Sequence, residues 1–378
     1  LSGLLIGRSG LGLVEPLDLG KGLETIVGLL VSLVLFDGGL NLRFPGGTIK
    51  SIVLRISSIR LIISLAAGFL AAHWFAGLGW SVAGVYSAIV LATGPTVVTP
   101  LVRQIRLASP LSDVLEAEGL ILEPIGAVLA LLLLEPVVGD LHGWRELLIG
   151  LLSRLGGGVL FGSIAGLLLA EGLKRLRSEP YVGIRLQLTL GVIFLLYGVC
   201  EWLLPESGLP ASVAAGFVVG QRPSTQANEL DKLIRELAQL AITMLFPLLA
   251  ADVSWGELSP LGWGGITCVL FLMIVVRPIA VSIATYGLPL DNKQRLFLGW
   301  LAPRGIVTAA VASLFSIRLE QAGVLGAGKL QGLVFLTILM TVGIQGLTAQ
   351  PLAKILGLLD EDENLDESAN TSSIFTES

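Results

Sequence analysis

The 378-residue chain is 53% hydrophobic and only 14% charged, with a mean hydropathy of +0.84, which excludes an ordinary soluble domain and makes lipid the expected solvent. A net charge of -5 and a pI near 5.2 exclude a nucleic-acid partner, which would need a basic face. Cys200, Cys268, His73 and His142 form no zinc or disulfide spacing, so no cofactor and no resident metal is expected.

Twelve apolar runs of about the length that crosses a hydrocarbon core follow in chain order. The first, residues 1–14, has no start methionine and no cleavage-site pattern, and reads as a helix entered partway. The others lie near 23–42, 52–78, 80–103, 113–138, 147–170, 183–204, 208–221, 234–252, 262–287, 294–317 and 328–352. They are long, continuous and rich in Leu, Ala and Gly, which predicts an all-α polytopic membrane protein rather than a barrel of short alternating segments. Trp74, Trp80, Trp144, Trp202, Trp255 and Trp263 fall at run ends, as interfacial anchors do. The stretch LGGGVLFGSIAG (155–166) predicts close helix packing, of the kind a dimer interface uses, rather than a phosphate cradle.

Basic residues fall in alternate loops, which sets the orientation. Arg43, Lys50, Arg55, Arg60, Arg103, Arg106, Lys174, Arg175, Arg177, Arg222, Lys232, Arg235, Lys293 and Arg295 all come out on the cytoplasmic side. The opposite loops carry Glu15, Asp18, Asp140, Glu146, Glu201, Glu206, Asp252 and Glu257. This alternation places the C-terminus in the cytoplasm, where residues 356–378 read as a solvated acidic tail.

Some charges lie where lipid should be. Glu123, Arg277 and Arg304 sit mid-run, and a charge at a helix centre costs about 2.5–3.5 kcal/mol on insertion scales. Counted from the cytoplasmic ends, Gly94, Glu123, Arg277 and Arg304 all lie about 15 Å deep, so four helices converge near the midplane. Glu118 precedes Glu123 by five residues, about 140° around the helix, so one carboxylate can pair with arginine while the other faces a cavity. Ion pairs that merely join helices are the competing reading.

Prolines mark the same depth. Pro95 frees the carbonyl of Leu91, Pro124 that of Leu120 and Pro303 that of Gly299, which predicts helix breaks at all three. ATGPTVV and, eight runs later, LAPRGIVTAA share this interruption and cross in opposite directions, the mark of an inverted repeat with a midplane ion site. A plain kink is the alternative for each alone.

These segments resemble those of the bacterial sodium/proton antiporters, the NhaP-like branch of the cation:proton antiporter superfamily. FDGGLNLRF (36–44) looks like that family's Phe-acidic-Gly-Gly-Leu segment, ATGPTVV like its unwound Thr-Asp-Pro, EGLILEPIGAV like its Glu-Ser-x-x-Asn-Asp helix, and LAPRGIVTAAVA like its Arg-Gly helix. Arg277-Pro278 matches the preceding arginine helix. In that register the family's first helix is missing. The resemblance implies a homodimer in a bacterial inner membrane, with a moving core (52–138 and 262–352) and a scaffold (1–42 and 147–252) within residues 1–355. It also implies exchange of sodium or potassium for protons, with no nucleotide. Carried over residue by residue, Glu123 becomes the ion and proton carrier, Thr93 and the Gly94 position parts of the ion site, and Glu118 with Arg277 and Arg304 the supporting ion pair. Asp37 becomes the acidic residue of a cation-attracting funnel, with a solvated helix-end charge as the alternative.

The chain departs from the family at the site. Gly94 stands where the family has Asp, Leu122 where it has Asn, Gly119 where it has Ser, and Glu123 where it has the second Asp. Fewer side-chain oxygens could favour a more weakly hydrated cation such as potassium, a hypothesis that exchange measured with each alkali cation tests. No Walker motif, His-Glu-x-x-His or Ser/His arrangement is present, so transport on an ion gradient is expected, not enzyme chemistry. An uncoupled channel or carrier, or a transport-inactive sensor of the same fold, are the alternatives.

Overall fold

A computed structural model of the chain describes residues 7, 11–12, 21–42, 47–139, 143–176, 182–221, 227–251 and 255–359. The run at 1–14 (apart from Gly7, Leu11 and Gly12) and the tail from residue 360 lie outside the described residues. So do Glu15, Asp18, Arg43, Asp140, His142, Arg177, Arg222 and Asp252. Among the described residues every regular element is helical, and the one pairing of extended backbone is an isolated bridge between Leu107 and Leu359.

In lipid every backbone polar group must find its partner inside the protein, and apolar runs do this by coiling. Nine helices come first: α1 (Lys21–Asn41), α2 (Gly47–Trp74), α3 (Trp80–Ile89), α4 (Pro95–Gln104), α5 (Leu111–Val138), α6 (Trp144–Arg175), α7 (Val182–Leu203), α8 (Gly208–Gly220) and α9 (Ala227–Ala251). Helical turns over 255–261 lead into α10 (Gly262–Phe271), α11 (Arg277–Ala284), α12 (Asn292–Trp300), α13 (Ile306–Gln321), α14 (Ala327–Met340) and α15 (Gly346–Leu356). A π turn at Leu272–Val276 joins α10 to α11, and another at Thr341–Gln345 joins α14 to α15. Each predicted run from 23–42 onward is therefore one helix or two consecutive ones. Among the described residues, six segments are long and apolar enough to cross a membrane: Ile49–Trp74, Leu111–Val138, Arg145–Arg175, Gly183–Leu203, Ser259–Ala284 and Ala327–Leu356. Trp74, Trp80, Trp202 and Trp263 are exposed at helix ends, where amphipathic rings meet an interface.

Two of the three predicted proline breaks occur. α3 stops at Ile89, residues 90–94 are not helical, and Pro95 opens α4 at a position where its missing N–H costs nothing. α12 stops at Trp300, residues 301–305 including Pro303 are not helical, and α13 begins at Ile306. Pro124 differs, because α5 runs unbroken through it from Leu111 to Val138. A single lost hydrogen bond is absorbed in a helix of 28 residues whose neighbours pack on both sides.

Three apolar clusters hold the helices together. One unites α1, α6, α7, α8 and α9 through Phe36, Leu169, Ile193, Ala215 and Ile234. A second joins α2, α4, α5, α11, α12 and α15 through Ile56, Val98, Leu115, Val281, Phe297 and Ala349. The third centres on α3, α5, α10, α13 and α14 and receives Val31 of α1 and Leu245 of α9.

The glycine stripe of α6 packs closely inside the chain, as its small residues lead one to expect. A Cβ on Gly158, Gly162 or Gly166 would strike Ser207 and Pro210, Ala211, or Ala215, all in α8 or at its start. On the other side of α8, Gly216 and Gly220 press on the backbone of Phe36 and Leu40 in α1. Small residues thus seat α8 between α6 and α1 at backbone contact.

Candidate functional site

The two broken helices meet at their non-helical stretches. Gly94 N–H donates to Pro303 O at 3.1 Å, and a Cβ on Gly94 would run into the backbone of Gly305. Gly119 of α5 lies against the same point, where a Cβ would come within 3.1 Å of Thr93 O. Gly94 and Gly305 need a hydrogen in place of a side chain, and Gly119 is tight against its neighbours. Gly94 therefore leaves no room for the acidic side chain that the resemblance puts at this position.

The four residues counted to one depth do converge, but not all in the expected roles. Arg277 donates from both terminal nitrogens to Glu118, Nη1 to Oε1 at 2.6 Å and Nη2 to Oε2 at 2.9 Å. Its Nε and Nη2 also reach Leu298 O (3.0 Å) and Leu301 O (3.1 Å) beside the second break. Arg60 donates to Glu118 Oε1 from the other side, to Thr93 Oγ1, and to Leu91 O at 3.1 Å. Glu118 is thus fully buried between two guanidiniums.

Arg304 was expected in this ion pair and is not part of it. It donates through Nη1 to Ala92 O (2.7 Å) and Leu91 O (3.3 Å), carbonyls that the interruption before Pro95 leaves without helical donors. The Leu91 carbonyl, expected to be loose enough for an ion, accepts two arginines instead. Thr93, expected as an oxygen ligand, has its hydroxyl held by Arg60. Both arrangements have one cause: guanidiniums present several donors and reach the exposed carbonyls and hydroxyl.

Arg60 was counted among the cytoplasmic loop residues. Its helix begins at Gly47, so it stands about 20 Å along α2, and it is buried. Locating the helix start, rather than the start of the apolar run, was the signal that would have found it. Two further residues went unnoticed: Gln345 Oε1 accepts from Ala302 N (3.1 Å) and Thr341 Oγ1 from Arg304 N (3.2 Å), fastening the second break to the last π turn. Their spacing of four within an apolar run was the available sign.

Glu123 is the exception. It is 1% exposed, and neither carboxylate oxygen has a hydrogen-bond partner. A Cβ on Gly305 would sit 3.0 Å from its Oε1, which places the carboxyl beside the crossing of the broken helices. It lines a cavity of about 10 Å³ with Ile89, Ala92, Ala127, Val307, Thr308 and Val311, space on the order of one water. A separate cavity of about 440 Å³ opens between α1, α4 and α9. Asp37, Thr99, Arg103, Gln104, Arg235 and Gln239 supply its polar walls, and Pro95 lies at its edge. Asp37 is buried there with Asn41 Nδ2 donating to Oδ1 at 2.9 Å, so it is not a solvated helix-end charge. The two cavities share no lining residue. Among the described residues no group of His, Cys, Asp and Glu could hold a resident metal.

The model of a family described as sodium/hydrogen exchanger, transmembrane, matches residues 1–355. The chain is 26% identical over 377 residues to the Na(+)/H(+) antiporter NhaH of Halobacillus dabanensis, covering 95% of this chain and 91% of the relative. It is 24% identical over 364 residues to the K(+)/H(+) antiporter NhaP of Alkalimonas amylolytica, covering 94% and 61%. Among solved structures it is similar to the sodium proton antiporter MjNhaP1 from Methanocaldococcus jannaschii, with a TM-score of 0.78 and 25% identity over 94% of this chain and 91% of that one.

Proposed function

The chain belongs to the transmembrane sodium/hydrogen exchanger family and exchanges a monovalent cation for protons, and on that premise we propose that Glu123 is the one group for which cation and proton compete. The observation that carries this reading is the carboxylate itself, buried at the crossing of both broken helices with no hydrogen bond to either oxygen. A bare carboxylate in such surroundings is too costly to persist, so it must hold a proton or a cation. A carrier that can cross only in one of those two forms is an exchanger. Glu118 is unsuited to the role, because two arginines already neutralise it.

The moving body comprises 52–138 and 262–352, and the scaffold 1–42 and 147–252. The cluster around Phe36, Ile193 and Ile234, drawn wholly from scaffold helices, supports that division. The 440 Å³ cavity, with α4 on one wall and α1 and α9 on the other, supports a cytoplasmic funnel at Asp37. Family resemblance supports a homodimer in a bacterial inner membrane. Exposed apolar side chains such as Leu152, Leu168, Leu195 and Leu347 support a lipid surround, and the alternation of basic loops supports a cytoplasmic C-terminus. Sodium or potassium is the cation, and one carboxylate gives one cation per proton, hence exchange without net charge movement.

The test is proton flux in proteoliposomes on adding sodium and then potassium, with the full-length protein and its Glu123→Gln variant. Cation-driven flux that vanishes in the variant, with no current under an imposed gradient, is the expected result. Flux that survives the substitution removes Glu123 from the role.

A further inference from the structure

Six threonines in helices or at their ends share a habit. Thr189, Thr243, Thr285, Thr337, Thr341 and Thr348 each donate their hydroxyl to the carbonyl four residues earlier. Such back-bonding is the usual fate of a threonine hydroxyl in an apolar helix. Thr308 breaks the pattern. It is the third residue of α13, and four residues back lies Arg304, in the non-helical stretch. Its Oγ1 is buried, 3% exposed for the residue, and has no hydrogen-bond partner. The unpartnered buried side-chain oxygens among the described residues are those of Ser57, Glu123 and Thr308, and the last two line one cavity of about 10 Å³.

We infer that the Thr308 hydroxyl is a ligand of the transported cation, completing with Glu123 a site whose other walls are apolar. This inference rests on Glu123 being the carrier. Its chemistry suits both carrier states. A hydroxyl has one proton to donate and two lone pairs. When the cation is bound, the oxygen lone pairs face it together with the carboxylate; when Glu123 is protonated, the same oxygen accepts from the carboxyl O–H. The broken helix is what makes the hydroxyl available, because a continuous helix would supply a carbonyl at position 304 and occupy it. With Gly94, Gly119 and Leu122 contributing no side-chain oxygen, Thr308 carries a larger share of cation affinity than any one neutral ligand would in an oxygen-rich site.

The experiment is cation-dependent proton exchange in proteoliposomes for the full-length protein and for Thr308→Val, Thr308→Ser and Glu123→Gln. Thr308→Val keeps the volume and removes the oxygen. It should raise the apparent KM for the driving cation about tenfold, the scale of one hydrogen-bond-like contact to a charge, with the maximal rate retained. Thr308→Ser should restore the KM. If Thr308→Val does not fold, Thr308→Ala takes its place, read by how far added cation raises the melting temperature of the purified protein. An unchanged KM, a KM raised equally by Val and Ser, or a lowered maximal rate at unchanged KM would each overturn the proposal, the last revealing a packing role. Exchange that survives Glu123→Gln removes the carrier reading itself; an inactive Glu123→Gln beside a normal Thr308→Val removes only the ligand.

Discussion

Glu118 and Glu123 are the same residue type, five positions apart on one helix, and both are almost wholly buried. One is gripped by Arg60 and Arg277, the other touches no donor at all. Burial and residue type therefore do not tell the two apart; the partners do. Arg60 comes from the helix before the first break and Arg277 from the helix before the second, so both halves of the repeat converge on Glu118. Its ion pairs hold the crossing together. Glu123 lies beside the crossing, in a cavity whose other walls are Ile89, Ala92, Ala127, Val307 and Val311 together with Thr308. Equal burial with opposite partnering is what sets the two carboxylates of this helix apart.

The largest effect should come from breaking the structural member of this pair. Glu118→Gln leaves two guanidiniums facing each other without a counter-charge, and removing one partner of a buried ion cluster costs about 3–5 kcal/mol. Thermal melting in detergent should show a protein that is severely destabilised or not recoverable. A variant melting like the parent would mean that the carbonyls of Leu91, Leu298 and Leu301 suffice to hold the arginines, and the contrast between the two carboxylates would collapse.

A smaller effect should follow from pushing the two breaks apart. Gly94→Ala drives a methyl group into the backbone of Gly305, where no flexible side chain can move aside, so overpacking should cost about 1–3 kcal/mol. Because Gly305 neighbours Glu123, the same variant should slow exchange while leaving the Glu118 cluster in place. Melting and flux measured on one preparation separate the two outcomes. Normal flux with lowered stability would show that the crossing supports the fold without positioning the carrier.

Much of this was legible in the residues. Continuous apolar runs located eleven of the twelve expected segments, because in lipid a helix is the only way such a run can satisfy its own backbone. Gly94-Pro95 and Pro303 marked the breaks, since a missing donor leaves a trace in sequence that does not depend on tertiary context. Pro124 carried the same local signal and made no break, because packing on both sides of α5 outweighs one lost bond. Partner choice was harder to read. Arg304 and Arg277 look alike as buried charges, and only the three-dimensional position of Leu91 and Ala92 decides that one caps carbonyls while the other pairs with Glu118. Arg60 was hidden by a boundary, since an arginine eight residues into an apolar run reads as a loop charge until the helix is seen to begin at Gly47. Thr308 gave no sequence signal, because its free hydroxyl depends on the helix starting only two residues before it, at Ile306.

The smallest expected effect sharpens the comparison most. Glu123→Gln removes a charge that no residue answers, replaces it with a neutral group of nearly the same shape, and breaks no ion pair or hydrogen bond in the protein. Stability should move by about 1 kcal/mol, the scale of one amide hydrogen bond made or missed and well short of the Glu118→Gln loss. The new amide must still find hydrogen bonds, and Thr308 beside it offers one oxygen, which limits the cost. Melting curves of the parent, Glu123→Gln and Glu118→Gln, recorded side by side without sodium or potassium, should therefore group the first two and set the third apart. Adding cation should then raise the melting temperature of the parent and not that of Glu123→Gln, because a ligand stabilises only the protein that can bind it. A Glu123→Gln protein as unstable as Glu118→Gln would mean that Glu123 also holds the fold. The division between a gripped carboxylate and a free one would then be a feature of this single conformation.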